Sequence, residues 1–238
     1  MKLASPTIGC ADDGERRAPE RSCGTWRKAV GSMVSVYEFK PRFQSMLRPL
    51  VVACVSHGIT PNHLTLAGIV GSVVVGMVLL LTERHMAALL LLPAWLLVRM
   101  ALNAMDGMAA REHQLQSALG AILNELGDVL ADLALYLPLA VLASGLVWPL
   151  MVFCLGAVVT EFAGVLGQAL GARRRYDGPM GKSDRALLLG VMGLATFFAP
   201  PLLEWWPIAL WAASLLTVVT TANRLRGALR EIRGAARP

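Results

Sequence analysis

The amino-acid sequence predicts an all-α integral membrane protein in which a juxtamembrane amphipathic helix precedes six transmembrane helices. Composition, hydropathy, charge and the length of the apolar runs support this. Hydrophobic residues make up 55% of the 238 residues, the mean hydropathy is +0.56, and only 16% of the residues are charged. Soluble domains carry about 25% charged residues. Several apolar runs also approach the roughly 20 residues that a helix needs to cross a bilayer, which argues against a large soluble core.

The first part of the chain differs from the rest in composition. Residues 1–32 are polar, mixed in charge and without an apolar period, so we expect a disordered or mis-annotated extension, with translation starting at Met33. The membrane domain is then expected over residues 33–238. Its first segment, residues 35–55, alternates aromatic and basic side chains and predicts a helix that lies in the headgroup region. Thr60 and Pro61 predict the start of the next helix.

Six apolar segments follow, and each is long enough to cross a membrane or nearly so. They cover about 64–82, 86–108, 118–142, 148–171, 185–200 and 207–223.

The net charge of +6 is distributed in a way that predicts topology. Of the 22 Lys and Arg residues, six lie in the first 28 positions, five in residues 172–185 and five in residues 224–238. Loops that carry basic residues alternate with loops that do not. This alternation predicts that both termini are cytoplasmic, in a bacterial inner membrane. The same clustering disfavours nucleic acid as a partner, because the positive charge follows the loops.

One stretch, residues 103–128, places polar groups at regular intervals in this apolar context. Asn103 and Asp106 are three residues apart and share a face of the second predicted span. Asn124 and Asp128 are four apart on the third span. The two spans meet through a short loop, so these groups can point toward one place near the cytoplasmic surface. Charge inside a membrane indicates a functional site by default.

The chemistry of these side chains favours a hard divalent cation. Their ligands are all oxygens, which suit Mg²⁺, Mn²⁺ or Ca²⁺ better than zinc. Gly107 and Gly120 allow a ligand or a backbone to come close. Arg111 adds a forked donor suited to phosphate.

The spacing of this stretch resembles the signature of the CDP-alcohol phosphatidyltransferase family, D-x2-D-G-x2-A-R-x8-G-x3-D-x3-D. All the intervals are kept, and Asn stands at the first and third Asp positions. In this chain the signature positions are Asn103, Asp106, Gly107, Ala110, Arg111, Gly120, Asn124 and Asp128. The resemblance extends from about residue 33 to the end, because the six spans and the amphipathic entry helix are also similar.

The resemblance implies transfer of a phosphatidyl or related group from a CDP-alcohol, with CDP-diacylglycerol favoured, to an alcohol acceptor, with release of CMP in phospholipid biosynthesis. It implies a metal site of one or two Mg²⁺ or Mn²⁺ ions at Asn103, Asp106, Asn124 and Asp128. Asp128 is the implied catalytic base. The CDP pocket is implied to be lined by Gly107, Ala110, Arg111 and Gly120. A homodimer is also compatible with the family.

The two Asn residues leave three outcomes open. An Asn carbonyl can still bind a hard cation, but each substitution removes one negative charge. The site then holds one metal instead of two, recruits Glu125 or Asp132 as a further carboxylate, or has lost activity while the fold is kept. The alternative function is therefore a catalytically inactive relative that acts as a membrane scaffold or lipid-binding protein. A small transporter with an intramembrane ion site is a weaker alternative.

Basic and acidic residues outside the stretch complete the expectations. Lys182 and Arg185 open the fifth span, where a helix N-terminus and two cations can hold an acceptor phosphate. Arg99 and Glu161 are expected either to serve the site or to form a buried ion pair with each other. The basic run at residues 173–175 is interpreted as ordinary cytoplasmic charge.

Overall fold

In the computed structural model, residues 36–82 and 86–235 are described, with side chains from 43 to 82 and from 86 to 234, and this part of the chain is helical without strands. It contains seven α-helices: α1 (Val36–Ser56), α2 (Pro61–Leu81), α3 (Leu91–Glu112), α4 (Ala118–Tyr136), α5 (Val147–Ala169), α6 (Lys182–Phe198) and α7 (Trp206–Ala235). Short 3₁₀ helices precede α3 at Met86–Leu90 and α7 at Pro200–Trp205, and two more join α4 to α5. The expectations for residues 1–32 lie outside the described residues.

Four helical segments are long and apolar enough to cross a membrane: Pro61–Leu81, Met86–Glu112, Ser144–Ala169 and Pro200–Gly234. The prediction of an all-helical membrane protein is therefore confirmed at this level. The remaining two predicted spans correspond to α4 and α6. Helix α4 carries three carboxylates, Glu125, Asp128 and Asp132, and α6 has only 17 residues, of which the first four include Lys182, Asp184 and Arg185. The charged residues within α4, and the short length and charged start of α6, explain why length and hydropathy alone do not identify these two helices.

Two units divide the chain, residues 1–40 and residues 41–238, and every side-chain contact described below lies within the second. In that unit α2 packs against α3 and α4, α5 packs against α7, and α3 packs against α6. The main buried cluster joins α2 through α7 and includes residues of the short 3₁₀ helices between them. Its fully buried members include Leu89, Leu92, Leu135, Tyr136, Phe153, Leu189 and Leu210.

Close backbone approach fixes the contact between α2 and α4. A Cβ atom at Gly76 would overlap the carbonyl oxygen of Ala134, so only glycine fits at this position. Small residues allow such approaches in membrane helices, where packing replaces the hydrophobic effect between helices as the main attraction. Gly127 of α4 makes a second close approach, because a Cβ there would stand 2.5 Å from Ile69 Cδ1 of α2.

A second apolar cluster attaches α1 to the bundle. Leu47 and Val51 of α1 are buried with Leu64 of α2 and Met105 and Met108 of α3. The opposite side of α1 exposes large apolar side chains such as Met46 (65% exposed) and Leu50 (53% exposed). An exposed ion pair of 2.8 Å between Arg48 Nη2 and Glu112 Oε1 joins α1 to the end of α3.

Hydrogen-bonded caps define the starts of α4 and α6. Helix α3 ends at Glu112, and Ser117 begins the next helix by accepting a hydrogen bond of 3.0 Å from the backbone N–H of Gly120. At the start of α6 the Asp184 carboxylate accepts one of 2.9 Å from the Gly181 N–H. The two caps therefore fix the first residues of the two helices, Ala118 and Lys182.

Candidate active site

The polar residues of α3 and α4 meet at one end of the bundle, as the sequence predicts. Asn103 Nδ2 of α3 donates to Asp128 Oδ1 of α4 at 3.5 Å. Asn103 and Asn124 both border two adjacent cavities, so they stand between them. The two helices therefore bring together the four residues that were predicted to bind metal.

The first cavity, of about 360 Å³, lies between α3, α4, α5 and α6. Asp128 and Lys182 line it. The second cavity, of about 730 Å³, lies between α2, α3 and the start of α4, and Asp106 lines it. All four residues predicted to line a CDP pocket border the second cavity: Gly107, Ala110, Arg111 and Gly120. The residues predicted to line a CDP pocket thus border the second cavity, and Lys182, one of the two predicted to bind an acceptor phosphate, borders the adjoining first cavity.

Space in the second cavity depends on its two glycines. A Cβ at Gly120 would stand 2.7 Å from Asn62 Oδ1 and 3.0 Å from Ser117 Oγ. A Cβ at Gly107 would stand 3.1 Å from Nη1 of Arg111, whose guanidinium folds back over that glycine. The cavity keeps its shape only with a residue that has no side chain at Gly120, whereas a Cβ at Gly107 would shift the end of the Arg111 side chain slightly.

The carboxylate of Asp106 is oriented by the first turn of α2. Asp106 is 5% exposed, and its Oδ2 accepts a hydrogen bond of 2.8 Å from Thr65 Oγ1. Thr65 is itself buried, and the carbonyl oxygen of Pro61, 3.1 Å from Thr65 Oγ1, shares the same hydroxyl proton at the longer distance. Thr65 was not identified from the sequence, although it lies only four residues after the Pro61 that predicted the start of this helix.

Two cations flank the carboxylate of Asp128. The ammonium of Lys182 contacts Asp128 Oδ1 directly. Arg99 Nη2 lies 3.9 Å from the same oxygen and donates to the backbone carbonyl of Asp128 at 2.9 Å. The Asp128 side chain remains 19% exposed, so it still faces the first cavity.

Beneath the cavity floor, Asp132 lies between two arginines. Arg99 Nη1 contacts Asp132 Oδ1, and Arg185 Nη2 donates to Asp132 Oδ2 at 3.0 Å. Arg185 also donates to Thr160 Oγ1 at 3.1 Å and to Glu161 Oε1 at 3.0 Å, and it is 1% exposed. Of the two residues predicted to bind an acceptor phosphate, Lys182 lines the cavity and Arg185 lies behind it.

The expected pair between Arg99 and Glu161 is wrong, because Glu161 faces three other arginines. Its carboxylate lies 3.0 Å from Arg185, 3.1 Å from Arg174 and 3.3 Å from Arg224. Rotation of α5 places Glu161 toward α6 and α7, whereas Arg99 faces α4.

Arg174 also differs from its interpretation as ordinary cytoplasmic charge. Its side chain is 12% exposed and lies 2.6 Å from Glu125 and 3.1 Å from Glu161. Burial lowers the pKa of Arg174, but the hydrogen bond and charge of Glu125, followed by the charge of Glu161, raise it above its usual value. Its guanidinium carbon lies 5.4 Å from the ring centroid of Tyr176, which lines both cavities.

The residues of the first cavity that were not assigned to the site from the sequence include Arg174, Tyr176 and Arg224. Arg224 donates to the Thr160 carbonyl at 2.6 Å and is 1% exposed. The available signal for Arg224 was its position directly after the predicted sixth span, where a single Arg can reach back along the helix.

The donor atoms fit a hard divalent cation but provide few carboxylates. Within the described residues, no group of three or more His, Cys, Asp or Glu side chains is arranged to hold a metal. The motif instead offers the carboxylates of Asp106 and Asp128 with the amides of Asn103 and Asn124. Mg²⁺ is commonly held by one or two carboxylates together with substrate phosphates, and this set can provide that.

The two further carboxylates considered from the sequence are already engaged. Asp132 is held between Arg99 and Arg185, and Glu125 is paired with Arg174. In this arrangement neither replaces the charge that is absent at Asn103 and Asn124.

Comparison with known proteins supports the family predicted from the motif. The sequence matches CDP-alcohol phosphatidyltransferase over residues 58–220. Inner membrane protein YnbA of Escherichia coli (strain K12) is 46% identical over 198 residues, which cover 82% of this chain and 97% of that protein. Phosphatidylinositol phosphate synthase of Streptomyces avermitilis is 24% identical over 199 residues, which cover 79% of this chain and 80% of that protein.

Solved structures share the fold. The crystal structure of Mycobacterium tuberculosis phosphatidylinositol phosphate synthase with CDP-DAG bound has a TM-score of 0.62 at 22% identity, covering 76% of this chain and 92% of that one. The same enzyme in complex with manganese and citrate has a TM-score of 0.62 at 21% identity, covering 76% and 88%.

Proposed function

The chain belongs to the CDP-alcohol phosphatidyltransferase family, and we propose that it transfers a phosphatidyl group from a CDP-alcohol, with CDP-diacylglycerol as the favoured donor, to an alcohol acceptor with release of CMP. The observation that carries this proposal is the division of motif residues between two adjoining cavities, with Asp106 bordering one and Asp128 the other. A donor and an acceptor need such adjacent spaces for in-line transfer.

The donor is assigned to the second cavity. Gly107, Ala110 and Gly120 leave room for the nucleotide, and the Arg111 fork suits a phosphate. Asp106, oriented by Thr65, lines this cavity. A bound Mg²⁺ or Mn²⁺, as one or two ions at the four motif positions, would neutralise the diphosphate and its leaving group.

The acceptor is assigned to the first cavity. Asp128 takes the proton of the acceptor hydroxyl at a carboxylate oxygen while the acceptor oxygen forms a bond to the lipid-linked phosphorus. The bond from that phosphorus to the bridging oxygen breaks, and CMP leaves with the electron pair. Lys182 has three N–H donors, so its ammonium can hold Asp128 and an acceptor phosphate together, with Arg185 behind it.

The membrane arrangement is part of the same proposal. Helices α4 and α6 complete six spans, α1 lies along the headgroup region, and both termini face the cytoplasm. The transferase domain covers residues 33–238, and the protein is compatible with a homodimer. The basic segments at residues 172–185 and 224–238 support this orientation.

The alternative is a catalytically inactive relative that acts as a scaffold or binds lipid. The observation that favours it is the pair of amides at Asn103 and Asn124, which leaves the motif with two carboxylates.

One assay separates the two functions. Purified protein is incubated with CDP-diacylglycerol, Mg²⁺ or Mn²⁺, and a panel of phosphorylated and neutral alcohols, and CMP release is measured. We expect release with at least one acceptor, and a loss of about 10²-fold or more in Asp128→Ala. Asp177→Ala, which removes an exposed loop carboxylate, serves as the matched control. If no acceptor yields CMP above the Asp128→Ala background, the transferase proposal is wrong.

A further inference from the structure

The charges of the side chains that line the two cavities sum to zero. Five of these side chains are basic and five are acidic. The lining therefore has no excess negative charge that bound cations would have to compensate. These side chains are Arg99, Arg111, Arg174, Lys182 and Arg224, and Asp106, Glu125, Asp128, Glu161 and Asp184. Asp132 and Arg185, which lie behind the first cavity, add one charge of each sign.

Two positively charged side chains already lie beside the Asp128 carboxylate. Asp128 Oδ1 is contacted by the Lys182 ammonium, lies 3.9 Å from Arg99 Nη2 and accepts from Asn103 Nδ2 at 3.5 Å. A divalent ion at this oxygen would stand next to two positive charges. Such repulsion is costly where water is scarce.

The Asp106 side differs. The Asp106 carboxylate accepts from the Thr65 hydroxyl at Oδ2 and from the backbone N–H of Gly107, and both of these donors are neutral. The larger cavity lies on this side, and the amides of Asn103 and Asn124 border it. This side therefore has one carboxylate and two amides next to the space assigned to the donor diphosphate.

We propose that the Lys182 ammonium takes the charge-compensating place of one divalent ion at Asp128, so that this chain binds a single divalent ion. That ion is held by Asp106, the amide oxygens of Asn103 and Asn124, and phosphate oxygens of the donor. The inference rests on the proposed transferase function, because the donor supplies the remaining ligands.

Charge balance supports a count of one. A diphosphate diester carries one negative charge on each phosphate, and a single divalent ion neutralises them over a lining whose charges already cancel. A second ion would leave two excess positive charges in a site at the membrane boundary. With Asp in place of Asn103 and Asn124, the lining would gain two negative charges, and a second ion would then be balanced.

The test counts Mn²⁺ ions per protomer by electron paramagnetic resonance on the full-length protein in detergent, with CDP-diacylglycerol present. Wild-type protein is expected to bind one Mn²⁺ with the signal of an isolated ion. The variant Asn103→Asp/Asn124→Asp/Lys182→Met is expected to bind two, with the broadened signal of coupled neighbouring ions. Two or no ions in the wild type, or one ion in a folded triple variant, would overturn the proposal.

A matched control keeps the charge change but moves it away from the cavities. Asn223→Asp combined with Gln168→Glu and Arg173→Met alters two exposed amides and a guanidinium whose side chain is 92% exposed, and it should still bind one ion. If the triple variant does not fold, the wild-type count alone decides.

CMP release is measured on the same wild-type sample. One bound ion without CMP release contradicts the transferase function but leaves the ion count standing. Two bound ions with CMP release contradict the inference alone.

Discussion

Arg185 of α6 donates a hydrogen bond of 3.0 Å to Asp132 of α4, and both side chains are almost wholly buried. Asp132 also contacts Arg99 of α3, so one carboxylate connects three helices. Replacing it leaves two buried guanidinium groups without that partner.

Asp132→Ala should therefore destabilise the fold strongly. Removing one partner of a buried ion pair costs about 3–5 kcal/mol. Loss of helical circular dichroism on heating in detergent measures the effect. Glu112→Ala removes a carboxylate from the exposed pair with Arg48 and should leave the transition temperature nearly unchanged, because exposed pairs contribute little. Equal transition temperatures for the two variants would contradict the structural role of Asp132.

Gly76→Ala should separate α2 from α4, because the new Cβ would overlap the Ala134 carbonyl. We expect a lower transition temperature and a lower yield of folded protein. Gly68→Ala on the same helix is the control, since a Cβ there meets no atom within 4 Å. That substitution should be neutral, or stabilising by up to about 1 kcal/mol through helix propensity. Tolerance of alanine at position 76 would show that α2 and α4 lie farther apart.

Thr65→Val should weaken metal binding without removing a ligand. Thr65 orients the Asp106 carboxylate, and loss of a group that orients a ligand typically costs about 10- to 100-fold in metal affinity. Mn²⁺ titration in the presence of CDP-diacylglycerol measures this. Thr82→Val, at the other end of α2, removes a hydroxyl that donates to the Val78 carbonyl of its own helix and should leave the affinity unchanged. An unchanged affinity in Thr65→Val would argue that Asp106 does not bind the ion.

Gly120→Ala should raise the KM for the donor more than it lowers kcat. Its Cβ would stand 2.7 Å from Asn62 Oδ1 and would narrow the second cavity. We expect a rise of about tenfold, which corresponds to about 1.4 kcal/mol of lost binding. Gly145→Ala, where a Cβ meets nothing within 4 Å, provides the comparison. A fall in kcat alone would place the nucleotide elsewhere.

The local arrangement of the site could be predicted because it depends on intervals along single helices. Asn103 and Asp106 share α3, Asn124 and Asp128 share α4, and the short connection between the helices brings the pairs together. Helical periodicity and loop length determine this much without knowledge of the rest of the fold.

The partners of the buried charges could not be predicted in the same way. Arg99 and Glu161 look like a pair from the sequence, but Arg99 meets Asp132, and Glu161 meets arginines from α6, α7 and the loop before α6. These pairings depend on how each helix is rotated in the bundle, which apolar packing decides. The roles of Arg174 and Arg224 could not be predicted either. Basic residues at helix ends are expected in any membrane protein, so their presence does not indicate a site.

The Lys182–Asp128 contact joins the start of α6 to the middle of α4, while Asn103 brings in α3. A ligand that bridges these groups recognises only the assembled bundle and has no equivalent site on the unfolded chain. Binding therefore raises the free energy of unfolding, by about 2.7 kcal/mol at a ligand concentration of 100 times Kd. Heat resistance of the purified protein thus becomes a direct reporter of occupancy, which allows nucleotides, cations and alcohols to be screened before any turnover is detected.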